Sequence, residues 1–145
     1  MKTDVYHLAP DATIREALHL FVSNRISGAP LITNGTLRGF VSDGDVLNAI
    51  SDSVPAFTTP YTLLKNEDSP EFSTDVSTVL DRRVASIATE PVITVNVNDD
   101  LGHISAVLAD RHLKKAPVVD DAGHVVGVIN RSDINRFLVS TYIDA

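Results

Sequence analysis

Apolar residues in the first third of the chain recur at Ile14, Ala17, Leu18, Phe21 and Val22, the spacing of one face of a helix. Thr13 followed by Glu16 has the form of a capping box, so the helix is expected to begin there and to end near Asn24. Two short apolar runs follow, Ala29 to Thr33 and Leu37 to Ser42, joined by Asn34-Gly35. Asn-Gly supplies the two positive φ angles of a tight hairpin turn, so the runs predict paired antiparallel strands. A second helix is expected from Asp43 to about Ser51. The same order then returns: a helix from Asp100 to His112, strands Ala116 to Asp120 and Val125 to Asn130 around the turn Asp121-Ala122-Gly123, and a helix from Arg131 to about Tyr142. Short stretches before each first helix, Val5 to Leu8 and Pro91 to Val97, predict an added edge strand in each unit.

The chain therefore states one pattern twice. Pro30 and Pro117 stand 87 positions apart and Gly39 and Gly127 stand 88 apart, which places one extra residue in the second turn. Units of this size are too small to bury their own apolar faces, so the two copies are expected to pack on each other. The expected organisation is a first repeat over 1–51, a connecting stretch over 52–83 and a second repeat over 84–145. Pro55, Pro60 and Pro70 argue against one continuous helix in the connection. Short helices at Thr59 to Leu64 and Thr74 to Leu80 fit it better, and it is expected to be ordered only in part.

Composition narrows the function classes. A chain of 145 residues with 43% apolar content has the material for a real core. Its formal charge of -7, with no basic stripe interleaved with aromatics, sets it against nucleic acid as a partner. With no cysteine there is neither a disulfide framework nor a thiolate metal site, and residues 1–10 do not resemble a signal peptide. The expected location is cytoplasmic. No apolar run reaches spanning length, so direct membrane insertion is not expected, although such a module can serve a membrane protein in trans.

With both copies laid out, the chain resembles a tandem pair of CBS (cystathionine β-synthase) domains, a Bateman module. The resemblance rests on Pro10-Asp11-Ala12-Thr13-Ile14-Arg15-Glu16-Ala17-Leu18, on Gly28-Ala29-Pro30-Leu31 and Lys115-Ala116-Pro117-Val118-Val119-Asp120, and on Val84 to Pro91 leading into the second copy. It rests too on strand ends of the form Gly-x-hydrophobic-[Ser/Thr/Asn]-x-x-Asp in each copy. It implies an α+β fold in which each repeat is a small β-sheet with two helices on one face, the repeats packed pseudo-symmetrically into one module. The sequence departs from the pattern in two places. The usual lead-in before Thr3 is missing, which points to a piece of a longer polypeptide or an unusually late start, and the connection is longer than a minimal pair needs.

The candidate chemistry sits at Ser42-Asp43-Gly44-Asp45 and Asn130-Arg131-Ser132-Asp133, where a strand feeds a helix. A helix start exposes unpaired N–H groups and a partial positive charge, which suits phosphate. The Ser42 hydroxyl or Asn130 amide adds a donor, and Asp45 or Asp133 offers carboxylate oxygens to neighbouring ribose hydroxyls. The competing explanation is plain helix capping, which a lone instance would favour. Two instances at equivalent places in such a repeat reverse that preference.

The resemblance further implies which residues complete each pocket. Asp45, Ser42 and Phe40 would face Thr89, Pro91, Ile93, Leu113 and Lys114, while Asp133, Asn130 and Val128 would face Asp4, Tyr6, Ile26 and Ser27. Apolar walls would sandwich an adenine, although core packing is the ordinary role of Ile26, Ile93 and Leu113 taken singly. Lys114 and Lys115 stand where the first copy has Ser27 and Gly28, so one pocket is expected to bind phosphate better, with Arg131 serving the other cleft. Solvated surface is the competing role for these three cations.

Catalysis is not expected. His7, His19, His103, His112 and His124 include no pair at metal-ligand spacing on a helix, and there is no nucleophile elbow. Asp43 and Asp45 are better explained by capping than as an acid pair. The leading expectation is a regulatory module, with no catalytic cofactor, whose ligand is AMP, ADP, ATP or S-adenosylmethionine bound between the repeats. Occupancy would be transmitted as a conformational change to a regulated partner protein. A homodimer is expected, with Val22 and Leu138 at its interface. The alternatives are a ligand-free dimerisation or interaction domain, or the regulatory fragment of a larger enzyme or transporter.

Overall fold

The computed structural model describes residues 6–53 and 76–144. Two compact units emerge. One holds 7–33, 38–53 and 76–90; the other holds residue 6, 34–37 and 91–144. Asp4 and the expected helix at Thr59 to Leu64 lie outside the described residues.

In the first unit, α1 (Ile14–Asn24) starts at the Thr13 cap, whose hydroxyl accepts the Glu16 N–H at 3.1 Å. It ends at Arg25, which takes a left-handed conformation and returns its N–H to the Phe21 carbonyl. Strands β1 (Gly28–Thr33) and β2 (Thr36–Ser42) pair across Asn34-Gly35, both at positive φ as the Asn-Gly turn requires. Helix α2 (Asp43–Ser53) follows directly. The expected edge strand before α1 reduces to one parallel bridge, Leu8 to Leu31, flanked by Leu8 N–H to Pro30 C=O at 3.1 Å and Ile32 N–H to Leu8 C=O at 2.9 Å.

A third element closes this unit's core. The helical turn α3 (76–80) and the stretch after it lie against α1 and α2, with Val79 and Val84 buried among Ile14, Ala17, Phe21, Val41, Val46 and Ala49. Backbone bonds stitch it down: Ile14 N–H to Arg82 C=O at 2.9 Å, Val84 N–H to Ala12 C=O at 2.8 Å and Ala85 N–H to Pro10 C=O at 3.3 Å. Thr13 and Arg83 form an antiparallel bridge, and Arg15 pairs with Asp81 at 3.1 Å. The end of the connecting stretch is thus part of the first unit's core.

The second unit repeats the order with a three-stranded sheet, β3-β4-β5. Strand β3 (Val95–Asn96) runs parallel to β4 (Lys115–Val119), and β4 pairs antiparallel with β5 (Val125–Asn130), with a register shift between Val118 and Val119 that accommodates the longer turn. Helix α4 (Leu101–Asp110) is capped by Asp100, whose carboxylate accepts the His103 N–H at 2.8 Å. Helix α5 (Arg131–Leu138) is shorter than the apolar period suggested, because its last turn widens into a π-helical turn at Val139–Ile143. None of the α5 side chains is fully buried, and Phe137, Leu138, Tyr142 and Ile143 are exposed.

Candidate functional site

Each junction between the hairpin and the following helix is built the same way. At the first, the Ser42 N–H donates to Asp45 Oδ2 at 2.9 Å and the Asp45 N–H donates to Ser42 Oγ at 3.2 Å. At the second, the Asn130 N–H donates to Asp133 Oδ2 at 2.9 Å and the Asp133 N–H donates to Asn130 Oδ1 at 2.9 Å. These are reciprocal capping boxes, so the capping role is realised in both copies. Capping uses one carboxylate oxygen and leaves the other for a second partner.

That second oxygen separates the copies. Asp45 is half-buried, and its Oδ1 makes no hydrogen bond among the described residues. Asp133 bonds through Oδ1 to the Arg136 guanidinium one turn along α5; Asn48 occupies the corresponding place in α2. Burial pushes the Asp133 carboxyl up, while hydrogen bonds from the Asn130 backbone and from Arg136 pull it down, and it lies below the ordinary carboxylate range.

The residues before each proline strand are held by the junction of their own copy. The Asp43 N–H donates to Ser27 C=O at 2.8 Å, and the Arg131 N–H donates to Lys114 C=O at 2.9 Å. The Arg131 side chain is also spoken for, its Nε on Leu113 C=O at 2.6 Å and its Nη2 on Leu108 C=O at 3.5 Å. Arg131 therefore ties the end of α4 to the start of α5 through these two carbonyls. Lys114 is exposed and Lys115 half-buried within β4.

Phe40 and Thr89, expected to face one another, do meet: Thr89 N–H to Phe40 C=O is 2.9 Å and the return bond 3.3 Å. Gly39 lies beside this bridge, and a Cβ there would make close but ordinary contacts of 3.4 Å with the Thr89 carbonyl, the Leu31 Cδ1 and the Glu90 Oε1. Phe40 is buried, while Thr89, Pro91 and Tyr6 are exposed. Ile26 packs against the first core, the ordinary role for such a residue. Ile93, Leu113 and Val128 are half-buried and Ser27 is exposed.

One feature near Asp133 is absent from the expected set. An open pocket of about 340 Å³ is lined by Asp133 together with Asp99, Leu101, Ile104, Ile129, Ile134 and Phe137. The signal was present in the repeat, because these five apolar residues are the counterparts of Ile14, Ala17, Val41, Val46 and Ala49. Among the described residues no group of His, Asp or Glu is placed to hold a metal ion, and no helix is long and apolar enough to cross a membrane.

Comparison with known proteins agrees with this geometry. The CBS domain profile matches residues 1–52 and 84–140. An uncharacterized protein of Methanocaldococcus jannaschii is 28% identical over 89% of this chain and 83% of its own. The chloroplastic CBS domain-containing protein CBSX1 of Arabidopsis thaliana is 30% identical over 93% of this chain, which spans 59% of that protein. An inosine-5'-monophosphate dehydrogenase of Thermoplasma acidophilum is 28% identical, and the chain spans 21% of it. Among solved structures, CBSX2 in complex with AMP superposes with a TM-score of 0.70 at 23% identity, covering 96% of this chain and 90% of that one. The CBS domain pair of MJ0100, in complex with 5'-methylthioadenosine and S-adenosyl-L-methionine, gives 0.71 at 20% identity, covering 97% and 92%. The chain belongs to the CBS domain family, as a tandem pair of repeats.

Proposed function

We propose that this chain is a regulatory module that binds an adenosine-containing ligand and passes its occupancy on to a partner. The supporting observation is the half-buried Asp45 carboxylate, anchored through Oδ2 by its own helix cap while Oδ1 accepts nothing among the described residues. A carboxylate oxygen fixed in place and left with acceptor capacity is what a ribose diol needs. Beside it, the start of α2 carries the partial positive charge of a helix N-terminus, which suits an anion, while the Asp43 and Asp45 N–H groups are already used within the junction. Lys114, exposed, is the candidate phosphate contact, which favours AMP, ADP or ATP over an uncharged nucleoside. The relatives with AMP or S-adenosyl-L-methionine bound support the ligand class at the level of the fold.

A ligand shifts the module only by binding its two arrangements unequally, so the regulatory role requires an affinity difference between them. The exposed apolar residues Val22, Leu138, Tyr142 and Ile143 favour association, and a homodimer is the expected assembly. A dimerising interaction domain without a ligand is the competing reading, and the same exposed residues favour it.

A thermal-shift screen against AMP, ADP, ATP and S-adenosylmethionine separates the two, because a ligand at 100 times its Kd adds about 2.7 kcal/mol to stability. No shift with any of them would leave the interaction domain. Asp45→Ala is expected to weaken nucleotide binding by roughly 1 to 3 kcal/mol in titration calorimetry while the module stays folded. Lys114→Ala is expected to cost more with ATP than with adenosine, and equal losses would remove Lys114 from the phosphate.

A further inference from the structure

The helix pairs of the two units, α1 with α2 and α4 with α5, do not present the same surface. In the second unit an open pocket of about 380 Å³ is lined by buried Leu108 and half-buried Ile134, and by Ser105, Ala109, Arg131 and Asn135. At the last four of these positions the repeat gives the first unit Leu18, Val22, Asp43 and Leu47.

The first contrast is of size. Ser105 and Ala109 are smaller than Leu18 and Val22, so the second unit is hollow where the first stands proud, with Val22 79% exposed and Leu47 65% exposed. The second contrast is of charge. Asp43 is exposed in the first turn of α2, one helical turn before Leu47, and its counterpart Arg131 stands one turn before Asn135. Because Arg131 is already fixed on the Leu113 and Leu108 carbonyls, it holds a cation at the pocket without ordering a free side chain. Single exposed apolar residues are ordinary on a protein surface. Here an exposed apolar pair, a hollow and a reversed charge fall at equivalent places on the two repeats.

We infer that a second copy of this chain docks through unlike repeats: Val22 and Leu47 of one copy seat in the pocket between α4 and α5 of the other, and Asp43 lies near the partner's Arg131. This rests on the self-association proposed above and goes further by naming the faces that meet. Contact between like repeats would set Val22 and Leu47 against themselves, bring Asp43 toward Asp43 and leave the pocket unfilled. Like charges brought together across an interface cost affinity and select against that pairing. Contact between unlike repeats covers the exposed apolar pair, fills the hollow and sets acid by base. Arg25 and His112, the corresponding residues at the ends of α1 and α4, are acidic in neither unit and favour neither arrangement.

The test exploits the absence of cysteine, which lets introduced thiols report the contact. Val22→Cys and Ala109→Cys change exposed positions; the two full-length variants, one of them carrying a mass tag, are mixed and treated with a short bismaleimide. Cross-linking between the two variants is expected in the mixture, and loss of the product when either is treated alone. By light scattering the wild type is expected to exceed the monomer mass, and Leu47→Asp to fall to it while keeping its circular dichroism. Asp43→Arg, which sets a guanidinium against the partner's Arg131, is expected to weaken association about tenfold. A monomeric wild type overturns the proposal, and so does cross-linking of Val22→Cys only to itself or of Ala109→Cys only to itself. Undiminished association of Leu47→Asp also overturns it and would give the contact to the exposed apolar residues of 137–143. None of these results decides the thermal-shift test of nucleotide binding, which a monomer can pass.

Discussion

Five apolar positions that are buried in the first repeat are half-buried or, at Phe137, exposed in the second, although the local pattern that places them is the same. Ile14 and Leu101 each follow a side-chain cap, Val46 and Ile134 each lie one residue past the capping aspartate, and both sets face one side of a hairpin. Among the described residues the difference is a third element, the turn and extended stretch of 76–85, which lies on the first set. Periodicity thus decides which face of a helix is apolar, and a separate segment decides whether that face becomes core.

Substitutions at that segment break the comparison most sharply. Val84→Asp, which puts a carboxylate where the side chain is fully buried, is expected to unfold the first unit at a cost of several kcal/mol, seen as a lost or strongly lowered urea midpoint. Ile14→Ala is expected to cost about 2 to 5 kcal/mol by denaturant melts, and Leu101→Ala clearly less, because the site is already half open. Equal losses would mean that the two faces are equally covered in solution.

The caps sharpen the comparison from the other side, since they are local and alike in both copies. Thr13→Ala and Asp100→Ala are each expected to cost about 1 kcal/mol. A large difference between them would show that the bridge from Thr13 to Arg83 contributes beyond the cap.

The smallest effect is at Arg136. Its side chain is 69% exposed, so Arg136→Ala is expected to cost no more than about 1 kcal/mol near neutral pH. The sign with pH follows from Asp133, whose folded pKa is depressed. The associated stability is present above the ordinary carboxylate pKa of about 4 and is lost as pH falls through the lower folded value. Wild type and Arg136→Ala should therefore converge in acid melts; a gap that widened on acidification would contradict the pairing.

Much of this was legible beforehand. The helix over 14–24 and both hairpins were written in apolar spacing, in Asn34-Gly35 and in the caps, all of which act within a few residues. The shared frame of the capping aspartates was legible for the same reason. The fate of their second oxygens was not, because it turns on whether residue 48 or 136 carries a guanidinium within reach. The carbonyl partners of Arg131, Leu108 and Leu113, were not legible either, because they are set by how α4 meets α5. The side taken by 76–85 was invisible too: Val76, Val79, Leu80 and Val84 advertise an apolar face, but the helices they cover lie dozens of residues upstream.

That distance has a consequence during synthesis. Chains leave the ribosome N-terminus first, and α2 is complete at residue 53, yet its cover arrives only with residue 84. At about 5 to 20 residues per second, those roughly 30 residues take about 2 to 6 s to make. Through that interval Ile14, Phe21 and Val46 are exposed on the nascent chain, which makes the earliest-made repeat a target for chaperones until translation supplies its lid.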